Sequence, residues 1–258
     1  MTDEEPGLSA RKDQKRGFID WYQGNVLADR YLETILSDWK NTGLLLVQAP
    51  ILAGLAVLVW GNVGKANAAL YFVMTLSAIW IGCMDSCREI VKERPLFLRE
   101  KMAGLDVGAY LYSKLRVLSL LSVVQGVTYA VIVYKFVDVH VAIGWLILNL
   151  VASTLCGMCL GLLVSSVVNR SDYAVGLVPL VILPQILFSE FAISADQFAG
   201  FSEAIYTVMP SRWGYESLVE FSETSGSALT AFAHLLPLLA MGALFVFIAW
   251  PILRAQKY

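Results

Sequence analysis

Few side chains in this sequence have the types and spacing that catalysis or metal binding requires. Cys156 and Cys159 form a C-x-x-C pair, which is typical of redox and zinc sites, but no His, Asp or Glu lies nearby in sequence to complete a ligand set. His140 and His234 lie near the ends of apolar runs, without a cysteine or carboxylate at ligand spacing. We therefore interpret the cysteines as packing residues and predict neither a catalytic residue nor a metal site.

One segment, Gly61–Ala66, superficially resembles a phosphate-binding loop. The Walker pattern needs a glycine where Val59 stands and a Ser or Thr where Ala66 stands, so the match fails at both positions. The chain is predicted not to bind ATP in this way and to need no cofactor of its own. An intramembrane enzyme is also disfavoured, because no Ser/His or paired-Asp set occurs within the apolar runs.

The chain is strongly apolar in composition, and this limits the kinds of element that could position a site. Of the 258 residues, 57% are hydrophobic and 16% charged, and the mean hydropathy is +0.64. Soluble domains have roughly 45–50% apolar and about 25% charged residues. The net charge of -2 and the lack of a basic stripe interleaved with aromatics disfavour nucleic acid as a partner. The composition indicates a membrane protein.

Six runs without Asp, Glu, Lys or Arg have the length of apolar helices that cross a bilayer, which takes about 20 residues. Because the runs are continuously apolar and do not alternate, a transmembrane barrel is improbable. We predict an all-α membrane protein with six transmembrane helices. The runs are Asn41–Gly64, Ala66–Met84, Val117–Tyr134, Val139–Asn169, Tyr173–Ser189 and Thr224–Leu253.

The basic residues predict the orientation, since Lys and Arg near span ends stay on the cytoplasmic side. With the N-terminus inside, 16 of the 19 Lys and Arg residues fall on the inner side, and Lys65, Lys135 and Arg212 fall outside. Both termini are therefore predicted to be cytoplasmic. Residues 1–27 are predicted to form a cytoplasmic tail or linker, and residues 28–258 the six-span domain. No cleaved signal peptide is evident, so the first span should be retained.

The cytoplasmic loop 85–104 mixes acidic and basic residues with a short apolar core. Pro95 favours a helix start, and Phe97 beside Arg99 and Glu100 predicts an amphipathic helix that presents an aromatic side chain and charges. A solvated loop that merely obeys the inside rule is the alternative, but that rule does not require the acidic residues. We favour a docking surface for another protein.

This loop resembles the first intracellular loop of ABCG-like exporters, the type-2 class of ABC transporters. The similar pattern is Glu93-Arg94-x-x-Phe97-x-Arg99-Glu100-x-x-x-Gly104. Tyr31–Lys40 resembles that family's elbow helix along the inner membrane face. Pro184–Ser189 resembles the end of its fifth span, and Met209–Leu218 the segment before its sixth.

The resemblance implies a permease subunit of the bacterial inner membrane that is not catalytic alone. It also implies pairing with a second copy, as a homodimer, and with ATP-binding subunits. ATP and Mg would bind to those subunits, whose closure drives alternating access and export. It also implies a cytoplasmic coupling helix between spans 2 and 3, and an outer re-entrant or helical segment between spans 5 and 6. The residues predicted to couple to the ATPase subunit are Glu93, Arg94, Phe97, Arg99 and Glu100.

In that family the cavity is lined by the second and fifth spans. The candidate lining residues of these spans are mostly apolar here, which predicts an apolar or amphipathic substrate. Two helical stripes are candidates, and ordinary helix packing is an equal alternative. The expected exit plug falls at Phe191 and Ala192, after a Ser189-Glu190 that departs from the family's Ser-Gly. The stripes are Met74, Ser77, Ala78 and Ile81 in the second span, and Leu180, Leu183 and Leu187 in the fifth.

Small residues recur at every fourth position through Ser153, Gly157, Gly161 and Ser165, which predicts close helix packing within one subunit.

The sequence also leaves a second function open. The chain would then be a membrane scaffold or regulatory subunit that recruits a soluble partner through the cytoplasmic loop 85–104 without transporting anything.

Overall fold

The computed structural model describes residues 20–62, 67–191, 201–222 and 228–256. In these residues the regular structure is helical, with a 3-10 turn at Val91–Glu93 just before α4. The helices are α1 Trp21–Ser37, α2 Trp39–Trp60, α3 Ala68–Ser86, α4 Arg94–Met102, α5 Val107–Phe136, α6 Ile143–Val167, α7 Ser171–Leu187, α8 Phe201–Val208, α9 Pro210–Ser222 and α10 Ala228–Ala255.

Among the described residues, five helices are long and apolar enough to cross a membrane: α2, α3, α5, α6 and α10. These agree with five of the six predicted runs. The remaining run forms α7, which has 17 residues and a length of about 26 Å, short of a hydrocarbon core of about 30 Å. The chain is an all-helical integral membrane protein with five long apolar helices and a shorter one.

Short polar side chains start several of these helices. Asp20, Asn67 and Asp106 each accept a hydrogen bond from a backbone N–H of the first turn that follows them. Asp38 ends α1 and caps α2, so one residue separates the two helices. Gly104 ends the α4 segment with a φ of 100°, a conformation that only glycine adopts without strain.

The core is centred on α6, which packs against α3, α5 and α10. At the seam between α3 and α6 the two backbones touch through glycine. A Cβ on Gly82 would overlap the Thr154 carbonyl, and a Cβ on Gly157 would overlap the Ile79 carbonyl. Gly161 lies in the same way against the end of α3. The predicted packing role of the small-residue stripe is confirmed.

Between α7 and α10 the chain forms α8 and α9, and α9 packs against α3, α6 and α10. Gly214 of α9 lies against Thr75, and its carbonyl accepts a hydrogen bond of 2.9 Å from the Asn149 amide of α6. The described part of the segment between the last two apolar helices is therefore helical and partly inserted into the bundle.

Replacing Gly157 by alanine should lower the apparent melting temperature of the purified chain, because the new methyl group meets backbone and not a flexible side chain. Overpacking of this kind typically costs about 1–3 kcal/mol. The matched control is Gly176→Ala in α7, where nothing lies within 4 Å of the added Cβ. Equal melting of the two variants would show that the α3–α6 seam tolerates a wider spacing.

Candidate functional site

The nine-residue helix α4 lies at the end of the bundle where the basic residues gather. We call this end the basic end and define it by Arg30, Arg94, Lys101 and Lys114. Pro95 stands in the first turn of α4, where its missing N–H costs no hydrogen bond. The charged residues on and beside α4 contact four other helices, and this set of contacts is the candidate site.

The most buried of these contacts joins Glu93 to Lys114 of α5, with 2.6 Å between the carboxylate and the ammonium. Only 1% of the Lys114 side chain is exposed, and its Nζ lies 3.4 Å from the centre of the Tyr31 ring in α1. A buried ammonium needs both an anion and surrounding donors or π faces to offset its lost hydration. Lys114 thus joins α1, the turn before α4 and α5.

Glu89 is a second buried carboxylate, four residues earlier. Its Oε2 accepts a hydrogen bond from the Tyr31 hydroxyl, and its Oε1 lies 2.6 Å from Lys92 Nζ. Burial, followed by the Glu89 charge, raises the pKa of Tyr31 well above its ordinary value, so the phenol remains a hydrogen-bond donor. Both Glu89 oxygens are therefore engaged.

Arg30 of α1 and Glu100 of α4 form a bidentate ion pair, with N–O distances of 2.7 and 3.1 Å. The hydrogen bond to Glu100 raises the pKa of the Arg30 guanidinium. Because half of the Arg30 side chain is exposed, the pair contributes little stability, about 0–1 kcal/mol, but it sets the angle between α1 and α4.

Two further cations attach α4 to the ends of α6 and α10. Arg94 donates to the Asn169 side chain and, at 2.9 Å, to the Ser166 carbonyl. Lys101 Nζ lies 2.8–3.1 Å from three backbone carbonyls at the end of α10: Leu253, Arg254 and Gln256. A cation at a helix C-terminus also meets the negative end of the helix dipole.

The position of Phe97 differs from the prediction that it presents an aromatic side chain at the surface. Only 1% of Phe97 is exposed, and its ring lies 4.6 Å from that of Tyr110 in α5. Phe97 and Tyr110 belong to one buried cluster with Ala28 and Tyr31 of α1. The apolar face of α4 is therefore packed against the chain's own helices. Arg99, on the opposite face, is exposed.

A groove of about 560 Å³ runs beside α4 on its outer surface and continues to the start of α7. Its walls mix cations, one carboxylate and apolar side chains. They are Val91, Lys92, Arg94, Pro95, Leu98, Asn169, Arg170, Ser171 and Asp172.

The two predicted cavity stripes do not face each other. Met74, Ala78 and Ile81 are fully buried in the core with α2 and α5, whereas Ser77 is half-buried. These three side chains are buried within one copy of the chain, and their lining role stays a prediction. A helix that is apolar all round gives no sign of which side faces a cavity.

The leucines of α7 point away from the bundle: Leu180, Leu183 and Leu187 are 62%, 51% and 59% exposed. The face of α7 that packs on α3 carries Val178 and Ile182 instead.

At the opposite end of α7, Phe191 joins a cluster of three aromatic rings. Its centroid lies 4.9 Å from that of Phe72 and 5.6 Å from that of Tyr215. Ala192, the second residue of the predicted plug, lies outside the described residues. Next to the cluster, Glu190 accepts a hydrogen bond of 3.1 Å from Tyr206, and burial with this charge raises the pKa of that phenol.

Within the described ranges, no group of three or more His, Cys, Asp or Glu side chains could hold a metal ion. Cys156 and Cys159 are free thiols inside the bundle, and His234 lies 3.3 Å from Glu216 near the aromatic cluster.

The sequence interpretation missed Tyr31, Lys101 and Lys114 as site residues. The available signal was Lys114 itself. An ammonium near the start of a long apolar helix needs an anionic or polar partner.

Comparison with known proteins points to one family. The family described as ABC-2 type transporter matches residues 22–221. The ABC transporter ATP-binding/permease protein Rv1747 of Mycobacterium tuberculosis is 26% identical over 212 residues, which cover 75% of this chain. The chain spans about a quarter of that relative's length, 24%.

Replacing Lys114 by methionine should destabilise the chain strongly, because Glu93 keeps its charge and loses its buried partner. Loss of one partner of a buried pair costs about 3–5 kcal/mol, and the partial exposure of Glu93 places this case at the lower end. Thermal melting of the purified protein measures the effect. Adding Glu93→Gln should restore part of it. The control is Arg116→Met, because Arg116 lies two residues along α5 and is half-exposed. A similar fall in melting temperature in both variants would contradict a structural role for the buried Glu93–Lys114 pair.

Proposed function

The chain belongs to the membrane-domain family of ABC-2 type transporters, and on that basis we propose that it is the permease subunit of an ATP-driven exporter. It moves an apolar or amphipathic substrate out across the membrane by alternating access. A separate ATP-binding subunit supplies the energy, and ATP and Mg bind there. The mycobacterial relative is an ATP-binding/permease protein, which combines both parts in its name and supports the pairing.

The observation that carries this proposal is the attachment of α4 to four helices. The Glu93–Lys114, Arg94–Ser166, Glu100–Arg30 and Lys101–α10 contacts join α4 to α5, α6, α1 and α10. A displacement of α4 therefore moves the ends of all four together. We assign to α4 the role of coupling helix, with Glu93, Arg94, Phe97 and Glu100 as internal links.

The ATP-binding subunit then docks on the outward face of α4 and the groove beside it. That surface carries Lys92, Arg99 and Arg170, together with Asp172. Complementary charge sets the register of such an interface, so the docking surface of the partner should be largely acidic. Within the described residues, Arg99 is the exposed member of the predicted coupling set, and it can reach a partner protein on this face.

For the topology we propose six spans, with the shorter α7 as the fifth and the basic end in the cytoplasm. The split of 16 to 3 basic residues supports this orientation. The elbow helix is α1, whose exposed Trp21, Tyr22 and Leu36 suit the membrane interface. Since α1 begins at Trp21, the proposed permease domain includes all of α1 and starts before the sequence-based boundary at residue 28.

A second copy of the chain completes the cavity in this proposal. The exposed leucines of α7 supply its apolar wall, and the cluster of Phe72, Phe191 and Tyr215 closes the exit. Because these walls are apolar, the cargo is apolar or amphipathic.

Reversal of the Arg99 charge should weaken docking of the ATP-binding subunit about tenfold, equal to about 1.4 kcal/mol, and lower coupled ATP hydrolysis to a similar extent. Pull-down of the purified subunits and ATPase assays in liposomes measure both. Lys135→Glu is the matched control, since Lys135 is an exposed cation at the opposite end of α5. If Arg99→Glu and Lys135→Glu behave alike, the docking surface lies elsewhere.

Leu183→Trp should slow ATP-driven movement of a fluorescent amphipath into inside-out vesicles several-fold, because the larger ring narrows the proposed cavity. Docking and basal ATP hydrolysis should change little. Leu244→Trp on the exposed side of α10 serves as the control. If the unaltered complex moves no amphipath under ATP, the scaffold interpretation gains over transport.

A further inference from the structure

Asp85 is a carboxylate buried inside the bundle near the end of α3, with 2% of its surface exposed. Its Oδ1 accepts hydrogen bonds from the side-chain amides of Gln48 in α2, at 3.0 Å, and Gln125 in α5, at 3.4 Å. The Gln125 amide nitrogen also donates to the Leu45 carbonyl at 2.8 Å. Three helices therefore meet at one side chain.

Two oxygens at this meeting point have no hydrogen-bond partner among the described residues: Asp85 Oδ2 and Gln125 Oε1. In the same part of the chain no Lys, Arg or His forms an ion pair with Asp85. A buried carboxylate without a cationic partner is costly, and such groups commonly become neutral instead. Asp85 thus has the surroundings of an acid, not those of an anion.

Asp85 also lines a small, largely enclosed cavity of about 40 Å³ at the basic end, bounded by α1, α2, α5 and the turn after α3. The other charged groups that face it are Asp38, Glu89 and Lys92, while α5 contributes apolar Leu118 and Leu121.

The other two carboxylates of this cavity are already engaged. Asp38 caps α2 by accepting from the Asn41 N–H, and Glu89 accepts from Tyr31 and Lys92. Asp38 is exposed to solvent, so Asp85 Oδ2 is the buried carboxylate oxygen of this cavity that lacks a donor among the described residues.

A single proton on Oδ2 resolves both unsatisfied atoms. The carboxylic acid would supply a donor for Gln125 Oε1, while Oδ1 continues to accept from the same amide, as a closed pair of two hydrogen bonds. The proton also removes the unpaired charge. A metal cation would instead require several further oxygens around Oδ2.

We propose that Asp85 is a proton-binding site, occupied in this packed arrangement, and that its proton joins α3 to α5 at the basic end of the bundle. Loss of the proton leaves a charge that draws water in from the small cavity and loosens the contacts with Gln48 and Gln125. The site is a property of this chain alone. Its test therefore does not depend on the proposed ATP-binding partner, and either proposal can fail without the other.

Infrared difference spectroscopy of the purified full chain, reconstituted in lipid, tests the proton directly. The spectrum should contain the carbonyl band of a buried carboxylic acid, lost on alkaline titration and missing from Asp85→Asn. The control is Glu89→Gln in the same cavity, which should keep the band because Glu89 is engaged by Tyr31 and Lys92. Absence from the unaltered protein of any such band that depends on Asp85 would overturn the proposal.

Thermal melting as a function of pH gives a second measurement. A group that holds its proton in the folded state and releases it on unfolding contributes stability that is lost as pH rises. The apparent melting temperature of the unaltered chain should therefore fall by several degrees as the Asp85 band disappears. Asp85→Asn keeps the shape of the side chain and supplies an N–H donor, so it should fold. Its melting temperature should not show this decrease with rising pH.

Sodium separates the proton from a metal cation. If sodium in place of choline raises the melting temperature of the unaltered chain, and not that of Asp85→Asn, then the site binds a metal cation and the proton assignment is wrong. Equal melting in the two salts supports a proton.

Discussion

The close approach of α3 and α6 is the constraint on which the basic end depends. The two helix backbones touch through Gly82 and Gly157, a spacing that no larger side chain permits. At the end of this seam Ser86 donates to the Met158 carbonyl at 2.8 Å, and Ser165 Oγ accepts from the backbone N–H groups of Ile90 and Val91 at 3.0 Å each. The turn that leads into α4 is therefore held by α6, and α4 is placed by a contact that begins deep in the bundle.

From that position α4 uses its charges inside the chain. A loop that is rich in Glu, Arg and Lys would be solvated if it only recorded which side of the membrane it faces. Here Glu93, Glu100 and Lys101 instead pair with α5, α1 and the end of α10. Ion pairs and carbonyl contacts of this kind hold geometry more than they add stability. Their result is a helix that can be displaced only together with its neighbours, which is what transmission of force from a partner subunit needs.

Several buried charged groups lie close together at the basic end. Asp85, Glu89 and Lys92 border a single small cavity, and Glu89 is linked through Tyr31 to the Lys114 contact. Around this region the exposed surfaces of α2 and α10 are mostly apolar, as surfaces in contact with lipid must be.

The sequence by itself determined the number and approximate limits of the apolar helices, the basic end, the stripe of small residues in α6 and the failed phosphate-binding pattern at Gly61–Ala66. These features follow from local composition and spacing. Only the tertiary structure decided that Phe97 points inward, that Met74, Ala78 and Ile81 lie in the core, and which groups Lys114 and Lys101 contact. A helix that is apolar all round carries no periodic signal for its inner face. The contacts of Lys101 join residues 152 to 155 positions apart, a separation that no local pattern encodes.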